Sequence, residues 1–248
     1  MAIMLPALIS DGMVLQRNAY ARIWGKSDEP VTLTFLGKHY HASPDSSGNW
    51  EIILSGLQPG GPYVMTINDI TIKDVYIGDV WLCSGQSNMQ IPMSRVKHMY
   101  PEEMLSPCPA VRQFTVPQCF DFHGPRDNLS GGRWVQASSD TIGNFSAVGY
   151  FFAKRLNERY GVPVGLILSA VGGTPIHAWM SRESLKDFPE LVREADLCAD
   201  DSYVAKVQAE DLKNMKSFFD GIYTADPGLT EKWYSPDYND DGWEERDL

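Results

Sequence analysis

The chain has 248 residues, of which 43% are hydrophobic and 21% charged, as is typical of one large globular domain or two smaller ones. Its 21 basic and 32 acidic side chains give a formal net charge of −11, and no basic stripe of the kind that binds nucleic acid is visible. No apolar run approaches the length of a membrane span, and the first residues lack the basic and apolar regions of a signal peptide. We therefore expect no nucleic-acid partner, no membrane span and no signal peptide in this sequence.

The first part of the chain has the pattern of a small all-β domain. Short segments of alternating polar and apolar residues recur between clusters of turn-forming residues, at 22–25, 31–35, 50–54 and 63–67. Short strands at this spacing are typical of a β-sandwich, which we predict over residues 1–74. Trp24 and Trp50 are interpreted as core residues of that domain rather than as platforms for a sugar.

A nearly continuous apolar run from Val75 to Cys83 predicts a strand with both faces covered, as in parallel sheets. Within it, Asp79 is expected to form structural hydrogen bonds rather than to act in catalysis. Residues 90–144 are irregular, with further strands expected at 111–116 and 134–137. So long a stretch without strong periodicity is often functional.

A clear helix follows, with Ser146 as a suitable N-cap and Gly161 as a stop signal. An apolar stripe recurs between them at helical spacing, formed by Val148, Phe151, Phe152 and Leu156. A second buried strand is predicted at 163–169, and this order of elements implies a parallel pair with a right-handed connection. Both strands then end at the same edge of the sheet, which brings Ser87 beside the Gly172-Gly173 turn.

The remaining chain is predicted to be helical at 181–195 and 202–219. The segment 233–243 is aromatic and rich in turn-forming residues, like the start of another β element. Taken together, these elements predict an α/β fold, in which a parallel sheet with helices follows an N-terminal β-sandwich. The sheet is expected to be incomplete in this chain.

The four cysteines, Cys83, Cys108, Cys119 and Cys198, are scattered, and no Cys-x-x-Cys pair indicates zinc or thioredoxin chemistry. Two interpretations are open for Cys108 and Cys119. They form a disulfide in an oxidising compartment, or they are free buried thiols, which we favour.

Ser87 is the candidate nucleophile, because Gly85-Gln86-Ser87-Asn88-Met89 directly follows a predicted buried strand. A serine hydroxyl is a weak nucleophile, so it needs an adjacent base and a site for the oxyanion. Gly85 permits a tight turn there. The alternative is a polar turn that merely ends the strand. The segment is not the Gly-x-Ser-x-Gly elbow of α/β-hydrolases, since Met89 stands at the second glycine position.

The second candidate segment is the Gly172-Gly173 turn after the predicted strand at 163–169. Glycines at the end of a strand bring backbone N–H groups close to a ligand, as an oxyanion hole requires. The alternative is an ordinary connection from strand to loop. On the same sheet edge as Ser87, the turn favours the functional interpretation.

These segments resemble one known family, the SGNH hydrolases in the form used by sialate O-acetylesterases and related carbohydrate acetylesterases. The resemblance covers nearly the whole chain. Five runs carry it: 85–89, which resembles the first sequence block of the family, 172–176, which resembles the second, and 5–16, 79–84 and 145–152.

The resemblance implies an SGNH-hydrolase-like sheet and an esterase that needs no metal and no organic cofactor. Ser87 would attack an acetyl carbonyl. The backbone N–H groups of Ser87 and of Gly172 or Gly173 would bind the oxyanion. Residues expected to contact the substrate are Gln86, Asn88, Thr174 and His177, the last at a position where the family commonly has glutamate.

The resemblance also predicts what the chain lacks. The family's Gly-Glu-Ser-Asn and Asp-x-x-His blocks, which supply a third oxyanion donor and the catalytic histidine and aspartate, are not found in residues 1–248. Of the five histidines, His39 and His41 are expected on the surface of the β-sandwich. His98 and His123 are expected at the surface or at the rim of the substrate site, and His177 as a substrate contact rather than the base.

The expected organisation is therefore the N-terminal portion of a larger enzyme, with an esterase domain at 75–228 and the start of an inserted β-domain at 229–248. The expected reaction is removal of O-acetyl groups from sialic acid, or from acetylated xylan or another glycan. The alternatives are a non-catalytic carbohydrate-binding or assembly module, and an enzyme of two polypeptides, the second supplying the histidine and aspartate. By resemblance, the protein is expected to be periplasmic or secreted.

Overall fold

The computed structural model describes residues 3–119, 121–126 and 128–244. The described part of 1–120 and 124–180 forms one compact unit, and the described part of 121–123 and 181–248 forms another. No helix in these ranges is both long and apolar enough to cross a membrane.

The first unit contains ten strands. They are β1 (Val14–Gln16), β2 (Ala21–Lys26), β3 (Val31–Phe35), β4 (Lys38–Ala42), β5 (Asn49–Leu54), β6 (Gly60–Ile67), β7 (Ile70–Gly85), β8 (Val111–Thr115), β9 (Trp134–Gln136) and β10 (Val164–Ala170). Its helices are α1 (Ser87–Gln90), α2 (Met93–Val96), α3 (Pro101–Leu105) and α4 (Ala147–Tyr160), with 3₁₀ turns at Ile142–Asn144 and Ile176–Trp179. The predicted strands and the helix after Ser146 are confirmed, and β1 and β4 are additions. The expectation that both faces of the strand at 75–83 are covered is wrong, because Trp81 and Leu82 are exposed.

One mixed sheet runs through this unit in the order β4-β3-β6-β7-β10-β8-β9, with β1 beside β7. The first half of β7 is antiparallel to β6, whereas its second half is parallel to β10. Strands β2 and β5 form a second, antiparallel sheet that shares one core with β3, β6 and the first half of β7. The fold is therefore α/β with N-terminal β-strands, as predicted.

The expected boundary at residues 74 and 75 lies inside β7, which continues without a break from Ile70 to Gly85. Buried Ile72, Val75 and Ile77 belong to the core of the N-terminal strands, and buried Cys83 belongs to the core under α4. The division into domains at 1–74, 75–228 and 229–248 stays a prediction.

Helix α4 has the predicted ends, because the Ser146 hydroxyl accepts a hydrogen bond from the Gly149 N–H and Gly161 is left-handed at φ 65°. The predicted apolar stripe is only half correct, since Val148 and Phe152 are exposed. The buried face consists of Ala147, Gly149, Tyr150 and Ala153. Small residues let the helix lie close to β10: a methyl group on Gly149 would be 3.3 Å from Leu166 Cδ1.

Tyr150 needs a polar partner because its hydroxyl is carried into this core. The hydroxyl donates to Glu103 Oε2 at 2.8 Å and accepts the Cys108 N–H at 3.0 Å, which ties α3 and the following loop to α4. Burial raises the pKa of Tyr150 well above its usual value. All four cysteines are free, and the Cys108 Sγ lies 3.3 Å from Asn157 Oδ1.

The second unit contains α5 (Pro189–Cys198), α6 (Asp201–Ala225) and α7 (Pro227–Thr230). The prediction of a helix from 181 is wrong, because residues 181–188 form turns. Pro189 explains the difference, since proline disfavours helical backbone in the residue before it and suits the first helical position. The predicted helix at 202–219 is confirmed and extends to Ala225.

The segment predicted to begin a β-domain has α7 and turns, and no strand, in its described part at 229–244. Three aromatic rings cluster there, with the centroids of Trp233 and Trp243 5.2 Å apart and both near Tyr238. That this segment begins an inserted β-domain stays a prediction, and residues 245–248 lie outside the described residues.

Replacing Ser146 by alanine is expected to lower the free energy of unfolding by about 2 kcal/mol, because the buried hydroxyl caps α4 and also donates to the Met89 carbonyl at 2.6 Å. Urea unfolding of the two proteins measures the difference. Ser55→Ala, at an exposed serine, is the matched control and should change stability by less than about 0.5 kcal/mol. Equal stability of the Ser146→Ala variant and the parent would contradict the role of this cap.

Candidate active site

Ser87 lies at the carboxyl end of β7, on the first turn of α1. Gly85 has a φ of 130°, a backbone conformation that residues with a Cβ rarely adopt. Gln86 is the N-cap residue, and Ser87 begins the helix and is exposed. The glycine therefore turns the chain sharply from the end of β7 into a short helix, and Ser87 is presented at the sheet edge.

The second segment ends at the same level of the sheet. Ala170 of β10 pairs with Gly85 in the parallel register, and the Val171 N–H donates to the Gly85 carbonyl at 2.9 Å. A methyl group built on Gly172 would lie 3.3 Å from Ser87 Cβ, so the two residues are in direct contact. Gly173 has a φ of 81°, and a methyl group there would meet nothing within 4 Å. The structure thus brings Gly172, rather than Gly173, against Ser87.

Gln90 is a site residue that the sequence analysis missed. Its Oε1 accepts the Gly172 N–H at 2.6 Å, the donor assigned by resemblance to the oxyanion. Gln90 lies three residues after Ser87 on α1, so both side chains share one face of the helix. That spacing is the only sequence signal for Gln90, because its partner is 82 positions away.

Gln86 and Thr174 are joined to each other. The Gln86 side-chain amide donates to the Thr174 carbonyl. The Thr174 hydroxyl donates to the Val171 carbonyl at 2.8 Å and accepts from Trp179 Nε1 at 2.8 Å. These bonds hold the loop after β10 against the turn before α1. A role for Gln86 and Thr174 in substrate binding stays a prediction.

Asn88 is exposed on α1, and His177 is half-buried in the 3₁₀ turn at Ile176–Trp179. The His177 carbonyl accepts the Met180 N–H at 3.1 Å. Among the described residues, no side chain hydrogen-bonds the Ser87 hydroxyl. The predicted roles of Asn88 and His177 as substrate contacts are therefore not tested by these contacts.

The other four histidines lie elsewhere. His39 and His41 are exposed on the edge strand β4, as predicted, beside Thr34 and Thr32. His98 is exposed after α2. His123 belongs to the second unit, where its Nδ1 lies 2.9 Å from Asp121 Oδ1, and this carboxylate raises the pKa of His123.

Asp79 has the structural role predicted for it. Both of its carboxylate oxygens accept from Arg17, at 2.7 and 3.1 Å, which links the chain after β1 to the middle of β7. Over the three described ranges, no group of three or more His, Cys, Asp or Glu side chains is arranged to hold a metal ion.

A buried network of hydrogen bonds joins α1 and the residue after it to the start of α4 and to β8. The Ser146 hydroxyl donates to the Met89 carbonyl, and the Ser146 N–H donates to Gln113 Oε1 at 3.0 Å. The Ala147 N–H donates to the Ile91 carbonyl at 2.8 Å. Gln113 is only 2% exposed. The strand Val111–Thr115 also contains Arg112 and Thr115, so Gln113 gave only a weak sequence signal for this network.

The segments described above lie inside a region that matches a known family. Residues 77–209, more than half of the 248 residues, match the model described as "Carbohydrate esterase, sialic acid-specific acetylesterase". The chain belongs to this carbohydrate esterase family. The resemblance identified from the sequence is thereby confirmed, and the stretch includes Ser87, Gln90 and Gly172.

Similar proteins include sialate O-acetylesterases of mammals. The Homo sapiens protein is 33% identical over an alignment of 202 residues, which covers 72% of this chain and 39% of that protein. The Mus musculus protein is 34% identical over an alignment of 205 residues, which covers 72% of this chain and 37% of that protein. The chain thus spans about two fifths of the length of these relatives.

A solved structure is also similar, a carbohydrate acetylesterase from Xanthomonas citri. It is 38% identical with a TM-score of 0.71, and the match covers 75% of this chain and 44% of that chain. Its fold supports the α/β architecture described above.

In this esterase-family chain, Gly85→Ala is expected to lower the free energy of unfolding by about 1–3 kcal/mol, because a Cβ is strained at this positive φ. The substitution should also shift the backbone resonances of Ser87, which NMR detects. Gly143→Ala is the matched control, since a methyl group there would meet its nearest neighbours at 3.8 Å without strain. If Gly85→Ala and Gly143→Ala had equal stability, the turn would not depend on glycine.

Proposed function

We propose that this chain supplies the nucleophile and part of the oxyanion hole of a serine esterase that removes O-acetyl groups from sialic acid or a related acetylated carbohydrate. The observation that carries the proposal is the contact of Gly172 with Ser87 at the carboxyl ends of the parallel strands β7 and β10, in a member of a carbohydrate esterase family. Sialate O-acetylesterase relatives support an acetyl ester as the substrate class.

In the proposed reaction, Ser87 Oγ attacks the acetyl carbonyl carbon and its proton passes to a base. The Ser87 N–H and that of Gly172 or Gly173 donate to the oxyanion. Collapse expels the sugar hydroxyl, which takes the proton, and leaves an acetyl-serine. Water then attacks this ester and releases acetate. One oxyanion donor typically accounts for about 10²–10³ in kcat, and no metal or organic cofactor takes part in these steps.

Four exposed or half-buried side chains are proposed to contact the carbohydrate: Gln86, Asn88, Thr174 and His177. Gln86 and Asn88 flank Ser87 in the chain, and Thr174 and His177 belong to the loop after β10, so they suit the sugar that carries the ester. Acetylated xylan or another glycan is the second choice of substrate. An acetylated glycan outside the cell fits the expected periplasmic or secreted location.

We also propose that the base comes from the remainder of the esterase domain, on the same or a second polypeptide, and that this remainder adds to the free edge of β7. On this edge the neighbouring strand β1 reaches no further than Gly78. Beyond it, the Val80 N–H donates to Gln16 Oε1, and no described strand lies beside the next residues. Exposed edges of this kind favour the addition of a further strand.

Apolar side chains flank the same edge. Leu82 is 68% exposed and Trp81 is 45% exposed, although they point to opposite faces of the sheet. The Trp81 ring packs edge-on against exposed Phe152 of α4, with centroids 4.9 Å apart. A parallel strand added here would end beside Ser87, where the loop after it could place a histidine.

The alternative is a non-catalytic carbohydrate-binding or assembly module. It is favoured by the observation that no side chain in the described ranges accepts the proton of Ser87. A fluorophosphonate probe distinguishes the two, because it labels an activated serine and leaves an inert one unmodified.

Ser87→Ala is expected to lower acetate release from O-acetylated sialic acid by about 10⁴-fold or more, since the nucleophile is lost. The assay uses the native protein, with its polypeptides identified by intact mass and denaturing gel. Ser84→Ala, at an exposed serine just before the turn, is the matched control and should retain turnover and fluorophosphonate labelling.

Retained turnover in the Ser87→Ala protein would refute the proposed esterase mechanism. Full activity in a sample that contains only a 27.8 kDa species would refute the proposal that the base lies elsewhere. Glycan binding without labelling of Ser87 in the native protein would favour the binding module.

The edge of β7 is tested by hydrogen exchange. In the active native protein, the Leu82 and Ser84 amides should exchange at least about 100-fold more slowly than in the 248-residue chain alone, because a new strand accepts them. Leu82→Lys should abolish this protection and the activity, whereas Leu105→Lys, at another exposed leucine, should change neither. Equal exchange in both proteins would contradict this docking edge.

A further inference from the structure

Stability alone does not explain the hydrogen bond between the Gln90 side chain and the Gly172 N–H. Gly172 is exposed, so water is an equivalent partner for its N–H, and the net stabilisation from the bond is small. Gln90 Oε1 nevertheless lies 2.6 Å from the Gly172 nitrogen. A methyl group on Gly172 would be 3.1 Å from this oxygen and 3.3 Å from Ser87 Cβ. The amide oxygen, the N–H and the serine therefore meet at one point.

We infer that Gln90 is a positioning residue of this site: its side-chain carbonyl holds the Gly172 N–H beside Ser87 and yields it to the carbonyl oxygen of the ester. The inference rests on the proposed function. An amide carbonyl and an ester carbonyl are both planar acceptors with an sp² oxygen, so one can replace the other on the same donor. Preorganised donors are effective because they need no reorientation during the reaction.

The rest of the loop shows why a side chain that fixes the Gly172 N–H is useful. The Gly172 N–H belongs to a turn whose next residue, Gly173, has a positive φ, and a methyl group on Gly173 would meet nothing within 4 Å. Glycine pairs lose much conformational freedom when they are ordered. Val171 and Thr174 anchor the loop on either side through Gly85 and Trp179. Gln90 is the described side chain that holds the N–H between those anchors.

The neutrality of glutamine matters for the chemistry. A carboxylate at this position would accept the N–H more strongly and would place a negative charge beside the developing oxyanion. A glutamine provides the acceptor without that charge. The backbone of Gln90 is itself fixed, since its N–H donates to the Gln86 carbonyl at 3.1 Å. The side chain can therefore release Gly172 without movement of α1.

The first experiment uses NMR of the full 248-residue chain and does not require activity. Gln90→Leu should move the Gly172 amide proton upfield and speed its exchange with solvent by about 10-fold, because the acceptor is lost. Gln90→Glu should keep the hydrogen bond and move the amide proton downfield, because a carboxylate is the stronger acceptor. Gln58→Leu, at an exposed glutamine between β5 and β6, is the control and should leave the Gly172 resonance unchanged.

The second experiment measures kinetics in the active native protein. Gln90→Leu should lower kcat by about 10–100-fold with KM within about threefold, which is part of the effect of losing one oxyanion donor. Gln90→Glu should also lower kcat although its hydrogen bond is intact. Urea unfolding separates these changes from a loss of stability.

The outcomes distinguish this inference from the proposed function. An unchanged Gly172 resonance in Gln90→Leu, or an unchanged kcat, would overturn the positioning role while the Ser87→Ala result still supported the esterase. Retained turnover in Ser87→Ala would overturn the esterase, and the NMR result would then describe only a structural bond.

Discussion

The parallel register between β7 and β10 is the constraint on which the site depends. It aligns Asp79–Gly85 with Val164–Ala170, so both strands end together and their loops meet at Ser87 and Gly172. Gly78 makes the register possible, because a Cβ there would lie 1.9 Å from the Pro163 carbonyl oxygen. A slip by one residue would turn every side chain of the stretch to the opposite face and separate the two loops.

The features that sequence reasoning predicts well are those with local signals. Helix α4 is located by its own cap residues, Ser146 and Gly161, and the meeting of Ser87 with Gly172 follows from the parallel direction of the two strands in a strand–helix–strand unit. Features that depend on distant partners were missed. The buried face of α4 depends on small residues packing on β10, and the contacts of Gln90 and Gln113 join segments far apart in the chain. Pro189 is a local signal for the start of α5 that the helix prediction at 181–195 did not use.

The hydrogen bonds around the candidate site are of two kinds, buried and solvent-accessible. Gln113 and Ser146 are almost fully buried. Their hydrogen bonds fix the position of α1, because water does not reach these groups to replace a partner. Gln86, Gln90 and Thr174 make their hydrogen bonds at the surface, where a ligand can replace one of the bonded partners. A serine held by the first group and surrounded by the second suits a reaction whose substrate must enter, change shape and leave.

The length of β7 has a further consequence for how this protein can be divided. Because one continuous strand serves the N-terminal sheet and ends at Ser87, the N-terminal strands and the site are hydrogen-bonded parts of the same structural element. A shortened version that begins at residue 75 would lose the antiparallel partner of Val75 and the parallel partner of Gly78 at once. In evolution, too, these strands and the serine turn would have to be inherited together.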